Sequence, residues 1–157
     1  GSASSVAAGL IPFAIGTETW GSIVSPSTIC GVTGLRPSYG RVSRDGAMAL
    51  SWSMDKIGPI CRTAEDCAIV FNAIYGPDGK DQSLINLPFN YSNEIDFKSI
   101  KIGYLKNDFD ADYDFKMQDS IALETLRKSG AELIPVELPA DILSDLYPVS
   151  NASVETG

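Results

Sequence analysis

The sequence predicts an α/β fold in which helices flank a β-sheet, and two features carry that expectation. In the second half, an apolar run over Ile100–Lys106, an amphipathic stretch over Phe115–Gly130 and a second apolar run over Ala131–Val136 give strand, helix, strand. That order calls for a parallel pair bridged by a helix. In the first half, short apolar runs bounded by Pro and Gly alternate with segments of helical character.

In chain order, Ser2–Leu10 is rich in alanine and small residues and reads as a short helix ending near Gly9. Pro12–Gly16 reads as a buried strand, and Ser22–Cys30 as a helical turn closed by Gly31 and Gly34, with its N-terminal amides facing a site. Leu35–Arg41 is a turn-rich connection whose two arginines fit hydrogen bonds to loop carbonyls better than an anion clamp. Gly46–Ser53 is apolar and hydroxyl-rich, with Trp52 expected in the core or a pocket wall. Lys56–Cys61 is a second strand, kinked at Gly58-Pro59. Thr63 caps the helix that follows, answered by Asp66 three residues on, and Gly76-Pro77 stops it. Asp78–Ser99 reads as a long surface connection, and Ile142–Tyr147 as the start of a further helix.

Chemistry concentrates in Gly16-Thr17-Glu18-Thr19-Trp20-Gly21-Ser22-Ile23-Val24-Ser25-Pro26-Ser27. Gly21 permits backbone conformations closed to other residues, so successive N–H groups can converge beside the Ser22 hydroxyl and bind a developing oxyanion. Read locally, the same stretch is also an ordinary strand-to-helix loop with Ser22 as the N-cap.

Taken together, four segments resemble the amidase signature family in order and spacing: GSASSVAAG at Gly1–Gly9, GTETWGSIVSPS at Gly16–Ser27, CGVTGLRPSYGRVS at Cys30–Ser43 and DKIGPICRTAEDCAIVFNAIYGPDGKD at Asp55–Asp81. The resemblance is close to about Ser83 and thinner beyond. It implies part of a mixed twisted β-sheet flanked by helices and a serine amidase of the Ser–cis-Ser–Lys type. Ser22 is then the nucleophile, and the backbone amides of Thr19, Trp20, Gly21 and Ser22 form the oxyanion hole. By the same alignment the bridging serine falls two places before Gly1 and the lysine base further upstream. Residues 1–157 are therefore expected to be part of one amidase domain, with 1–83 bearing the nucleophile and 84–157 continuing it, and to be inactive alone. The resemblance implies no metal and no organic cofactor.

Composition narrows the alternatives. The chain has no histidine, which removes Ser-His-Asp and Cys-His catalysis from it. Cys30, Cys61 and Cys67 lack C-x-x-C spacing and are expected as reduced, mostly buried thiols. Up to Ala64 there are five basic and three acidic residues; from Glu65 there are seven basic and seventeen acidic, for a net charge of −8. The acidic half disfavours nucleic-acid binding, which needs clustered Lys and Arg. No run reaches the roughly 18 apolar residues of a membrane helix, and a cytoplasmic location is expected. Asn107–Asp114, with Asp119 in twelfth place, mimics a calcium loop but has Tyr113 where a glycine is needed, and reads as capping or solvated acids.

The expected partners are thus a small-molecule or peptide amide substrate and the remainder of the parent chain. One alternative is the A subunit of an aminoacyl-tRNA amidotransferase, the one reading that brings in a nucleic acid. Such subunits typically have Gly-Gly-Ser-Ile-Arg where this chain has Trp20-Gly21-Ser22-Ile23-Val24, so a stand-alone amidase fits better. The other alternative is a non-catalytic α/β module binding through its acidic half.

Overall fold

A computed structural model describes residues 1–139, and within it the chain forms two compact units, Gly1–Tyr91 and a second that begins at Ser92. The expected helix at Ile142–Tyr147 lies outside the described residues.

In the first unit the elements are α1 (Ser2–Ala7), β1 (Ala14–Glu18), α2 (Val24–Cys30), β2 (Thr33–Gly34), β3 (Lys56–Cys61) and α3 (Ala64–Ile74). The strands make an antiparallel sheet in the order β1-β3-β2, with Ala14 opposite Ile60 and Glu18 opposite Lys56. Side chains alternate between faces along a strand. Ile60 therefore points to one face, where it packs with Ile23, Val6 and Ala3 from α1 and the start of α2. Pro59 and Cys61 point to the other, where Cys67 of α3 places its Sγ 3.8 Å from the Pro59 carbonyl. Ile23, Ile60 and Val6 are almost wholly buried. Removing each from water contributes about 1.5–3 kcal/mol.

Pro59 sits in the central strand, where proline is normally excluded. Its carbonyl accepts from the Leu35 amide at 2.9 Å, so its nitrogen faces the same side, where chain from β2 runs past. Toward β1, Ile15 and Pro59 then face each other as a non-hydrogen-bonded pair, and no donor is missed. β3 continues through Gly58-Pro59 as one unbroken strand. Gly58 has another purpose: a Cβ there would lie 2.1 Å from the Leu35 carbonyl and 2.7 Å from Pro37 Cδ.

Other boundaries also differ from expectation. β1 begins at Ala14 and not Pro12, and it is not a buried strand, since Phe13 and Ile15 are both more than 40% exposed. α2 starts at Val24, two residues after Ser22, and ends at Gly31 in the left-handed conformation. Of the two places expected for Trp52, the pocket wall holds: the ring is exposed, lines an open hollow with Arg44 and Asp81, and lies 5.5 Å from the Arg44 guanidinium. Residues 78–90 are tied down: Asp81 pairs with Arg44 at 3.0 Å, the Ile85 amide donates to the Gly40 carbonyl, and Phe89 meets the Phe71 ring edge-on. As expected, Thr63 caps α3 by accepting from the Asp66 amide at 3.1 Å.

In the second unit, β4 (Lys101–Leu105) and β5 (Glu132–Val136) pair in parallel across α5 (Lys116–Lys128), as the strand–helix–strand order predicts. The acidic run contains a helix that sequence reading missed, α4 (Lys106–Asp110), held by a Lys106–Asp110 ion pair. Asp119 accepts from the Tyr113 hydroxyl at 3.0 Å.

Replacing Gly58 by alanine drives a methyl into backbone that cannot move without breaking the Leu35–Pro59 hydrogen bond. Gly58→Ala is expected to lower stability by about 1–3 kcal/mol or more, read as a lower denaturant midpoint. At Gly9, where a Cβ meets nothing within 4 Å, the cost is confined to the positive φ.

Candidate active site

The site begins with one carboxylate. Glu18 ends β1 with its side chain fully buried, and a buried charge needs partners. Its Oε2 accepts from the amides of Ile23 at 2.8 Å and Val24 at 2.9 Å, and its Oε1 lies 3.5 Å from Arg36. Glu18 therefore reaches across residues 19–22 and satisfies the first amides of α2, which carry the positive end of the helix dipole. This corrects two expectations. The N-terminal amides of α2 at Ile23 and Val24 do not face a site, because Glu18 takes them. Nor is Ser22 the N-cap: that position falls to Ile23, with no side-chain cap bond of its own.

Thr19 is held from the other side. Its hydroxyl donates to Asp55 Oδ1 at 2.6 Å, and its carbonyl accepts from Lys56 Nζ at 2.9 Å. Asp55 is anchored in turn, as its Oδ2 accepts from the amides of Leu50 at 2.7 Å and Ser51 at 3.0 Å. Burial pushes the Asp55 pKa up, but the hydrogen bonds from Thr19, Ser51 and Leu50 outweigh it and hold the carboxyl below its ordinary 3.8. For Lys56, burial is the main cause of a lowered pKa, with Arg36 adding to it.

Between these holds the chain bends through Thr19, Trp20, Gly21 and Ser22. Thr19 is buried, Trp20 is 42% exposed, Gly21 is half-buried and Ser22 is exposed. Among the described residues, the amides of Thr19, Gly21 and Ser22 and the Ser22 hydroxyl have no hydrogen-bond partner. Gly21 is not in the left-handed region, contrary to the expectation that it supplies an unusual backbone angle. What it supplies is room, since a Cβ there would sit 2.9 Å from Ser25 Oγ.

Ser22 lines an open groove of about 350 Å³ together with Ser2, Ser4, Gly16, Thr17 and Cys30. The start of α1 and the bend at Ser22 thus border one space, through small residues that leave it clear. Cys30 is half-buried there; Cys61 and Cys67 are buried, and all three are free thiols. Burial and the neighbouring Cys67 push the Cys61 thiol up to about 12, which keeps it protonated and inert.

Sequence reading found the bend but missed its supports. Glu18, Arg36, Asp55 and Lys56 are charged residues next to apolar runs, and nothing local in the sequence marks which of them the fold buries or pairs. Glu18→Ala would leave two amides unpaired inside the protein and is expected to cost about 2–4 kcal/mol, measured by chemical denaturation. Asp55 gives a separate expectation. Its folded pKa is depressed, so its stabilisation is present above the unfolded value of about 3.8 and is lost as pH falls through the lower folded value. Acid unfolding of Asp55→Asn should lack that component.

Comparison with known proteins places the chain in a family. The family model described as Amidase matches residues 1–153. The A subunit of glutamyl-tRNA(Gln) amidotransferase from Coxiella burnetii is 43% identical over 155 residues, which is 95% of this chain and 32% of that protein. Among solved structures, the A subunit of glutamyl-tRNA(Gln) amidotransferase from Thermotoga maritima superposes with a TM-score of 0.87 at 32% identity, covering 99% of this chain and 36% of that one. The peptide amidase of Stenotrophomonas maltophilia gives a TM-score of 0.76 at 40% identity, covering 88% and 30%. The chain spans about a third of the length of the curated relatives it matches.

Proposed function

The chain belongs to the amidase family, and on that footing we propose that the protein is an amide hydrolase in which Ser22 is the nucleophile. The amides of Thr19, Trp20, Gly21 and Ser22 form its oxyanion hole. Residues 1–157 are part of one amidase domain, with 1–83 carrying the nucleophile and 84–157 continuing the fold. The observation that carries this reading is the bend itself: an exposed serine hydroxyl beside the amides of Thr19, Gly21 and Ser22, which no other described residue occupies.

In the proposed reaction Ser22 Oγ attacks the amide carbonyl, and its proton passes towards a lysine through a bridging serine, both outside residues 1–157. The C=O π pair moves onto oxygen, where the backbone amides of the bend receive it. Collapse of the tetrahedral intermediate breaks the C–N bond, and the amine leaves with a proton. Water then attacks the acyl-serine ester and releases the acid. A backbone-built hole tolerates the indole at position 20, because Trp20 contributes its N–H whatever its side chain.

A second reading, the A subunit of an amidotransferase, is favoured by the 43% identity to such subunits. There the nitrogen freed from the amide is passed on within a complex. Val24 in place of the usual arginine, and Trp20 in place of glycine, favour the hydrolase. Hydrolysis of a simple aryl amide by the purified full-length protein without partner proteins supports the hydrolase, and turnover that appears only with partners supports the amidotransferase.

Labelling the full-length protein with a fluorophosphonate is expected to place the modification on Ser22. Ser22→Ala should abolish labelling and reduce turnover by about 10⁴-fold or more. Its stability should change by no more than about 0.5 kcal/mol, because an exposed hydroxyl without partners contributes little. A label on another serine, or near-native turnover in Ser22→Ala, would refute the assignment.

A further inference from the structure

We propose that Lys56 is a positioning residue that fixes the direction and strength of the Trp20 amide as an oxyanion donor, acting through the Thr19 carbonyl. The inference rests on the oxyanion-hole reading given above, and it adds a residue from a different strand to that site.

The first step is geometric. Among the described residues the Lys56 ammonium makes no ion pair, and its one hydrogen bond goes to the Thr19 carbonyl oxygen at 2.9 Å. Among the described residues there is no cis peptide bond, so the Thr19–Trp20 unit is planar and trans. In such a unit the C=O and the following N–H point in opposite directions. Fixing the Thr19 oxygen on Lys56 therefore fixes the Trp20 N–H to point away from the Lys56 ammonium.

A single tether would leave the plane free to rotate about its flanking bonds. Here rotation is opposed at Thr19 itself, whose hydroxyl is held by Asp55 at 2.6 Å. It is also opposed beyond the bend, where Glu18 holds the amides of Ile23 and Val24. Lys56 and Asp55 are consecutive at the start of β3, and Lys56 stands opposite Glu18 in the sheet register. The two ends of the bend are thus referred to one frame.

The second step is electrostatic. A carbonyl that accepts from a cation is more polarised, and the N–H of the same amide becomes a stronger donor. Lys56 is partly buried, its charge is desolvated, and its hydrogen bond is correspondingly stronger than in water. A structural carbonyl at a bend needs only water or a neutral donor. An ammonium drawn out of solvent to one backbone oxygen makes sense where that amide carries charge in a transition state.

The prediction concerns full-length protein assayed on a simple aryl amide and inhibited by an aldehyde bearing the same acyl group, whose adduct with serine carries an oxyanion. Lys56→Met keeps the apolar stem and removes the donor. It should lower kcat by about 10- to 100-fold with KM within about twofold. Affinity for the aldehyde should fall in step with kcat, and the thermal midpoint should stay within a few degrees. Lys56→Arg, which restores a cationic donor, should recover most of the kcat. If Lys56→Met does not fold, the comparison is made between Lys56→Gln, a neutral donor, and Lys56→Arg, with the same ordering expected. A kcat near that of the native protein in the folded neutral variant overturns the proposal, as does a loss carried in KM with aldehyde affinity unchanged. Ser22→Ala separates the two levels. If it retains turnover, the site assignment fails and the Lys56 role falls with it; if it is inactive while the neutral Lys56 variant is normal, only the Lys56 role falls.

Discussion

The first unit depends most on a carboxylate that sees no solvent. Glu18 is stable there because two backbone amides at the start of α2 and one arginine share its charge. Placing an anion at a helix start stabilises it twice, through hydrogen bonds and through the dipole. Since the carboxylate comes from the last residue of β1, the same bonds set where α2 begins relative to the sheet. Ile23 is thereby directed into the core beside Ile60 and Val6. Ser22, one residue earlier, is left outside it.

Satisfying the amides of Ile23 and Val24 from within also determines which amides remain open. A helix start ordinarily leaves four donors without intrahelical partners. Here Glu18 takes two, and the open donors of Gly21 and Ser22 lie just before them in the bend, where the chain is neither strand nor helix. On the other side, Asp55 and Lys56 hold Thr19 through its hydroxyl and its carbonyl, leaving its amide untouched. Each of these supports grips the bend by a side chain, by a carbonyl or from beyond it. The amides of Thr19, Gly21 and Ser22 are fixed in place and, among the described residues, unoccupied, which is the condition for preorganised electrostatic stabilisation.

Much of this was legible in the sequence, for reasons that differ by element. The parallel β4–β5 pair followed from apolar periodicity, and α3 from a Thr63–Asp66 cap that depends only on local chemistry. The bend at Ser22 was legible as a motif. Its supports were not, because the Glu18–Val24, Thr19–Asp55 and Thr19–Lys56 contacts are set by register and tertiary packing, and a charged side chain carries no mark of burial in the sequence. For Trp52, size left core and pocket wall both open. A neighbouring arginine offers its face a cation, and the ring stays exposed in the wall of an open hollow. Pro59 suggested a kink because a strand-interior proline usually breaks pairing. Which side its nitrogen faces is decided by the neighbouring strands, and these are distant in sequence.

Side chains and backbone carry different information in a site of this kind. The proposed oxyanion donors are main-chain groups, so their identity is indifferent to the residue, provided the bend keeps its shape. What fixes the shape is Glu18, Gly21, Asp55 and Lys56, and of these only Gly21 belongs to the bend itself. The side chains at positions 20 and 24 are both partly exposed. Those two positions separate this chain from the amidotransferase pattern, while the supports are compatible with either reaction. In the proposed site, a change of side chain at position 20 or 24 leaves the main-chain donors themselves in place.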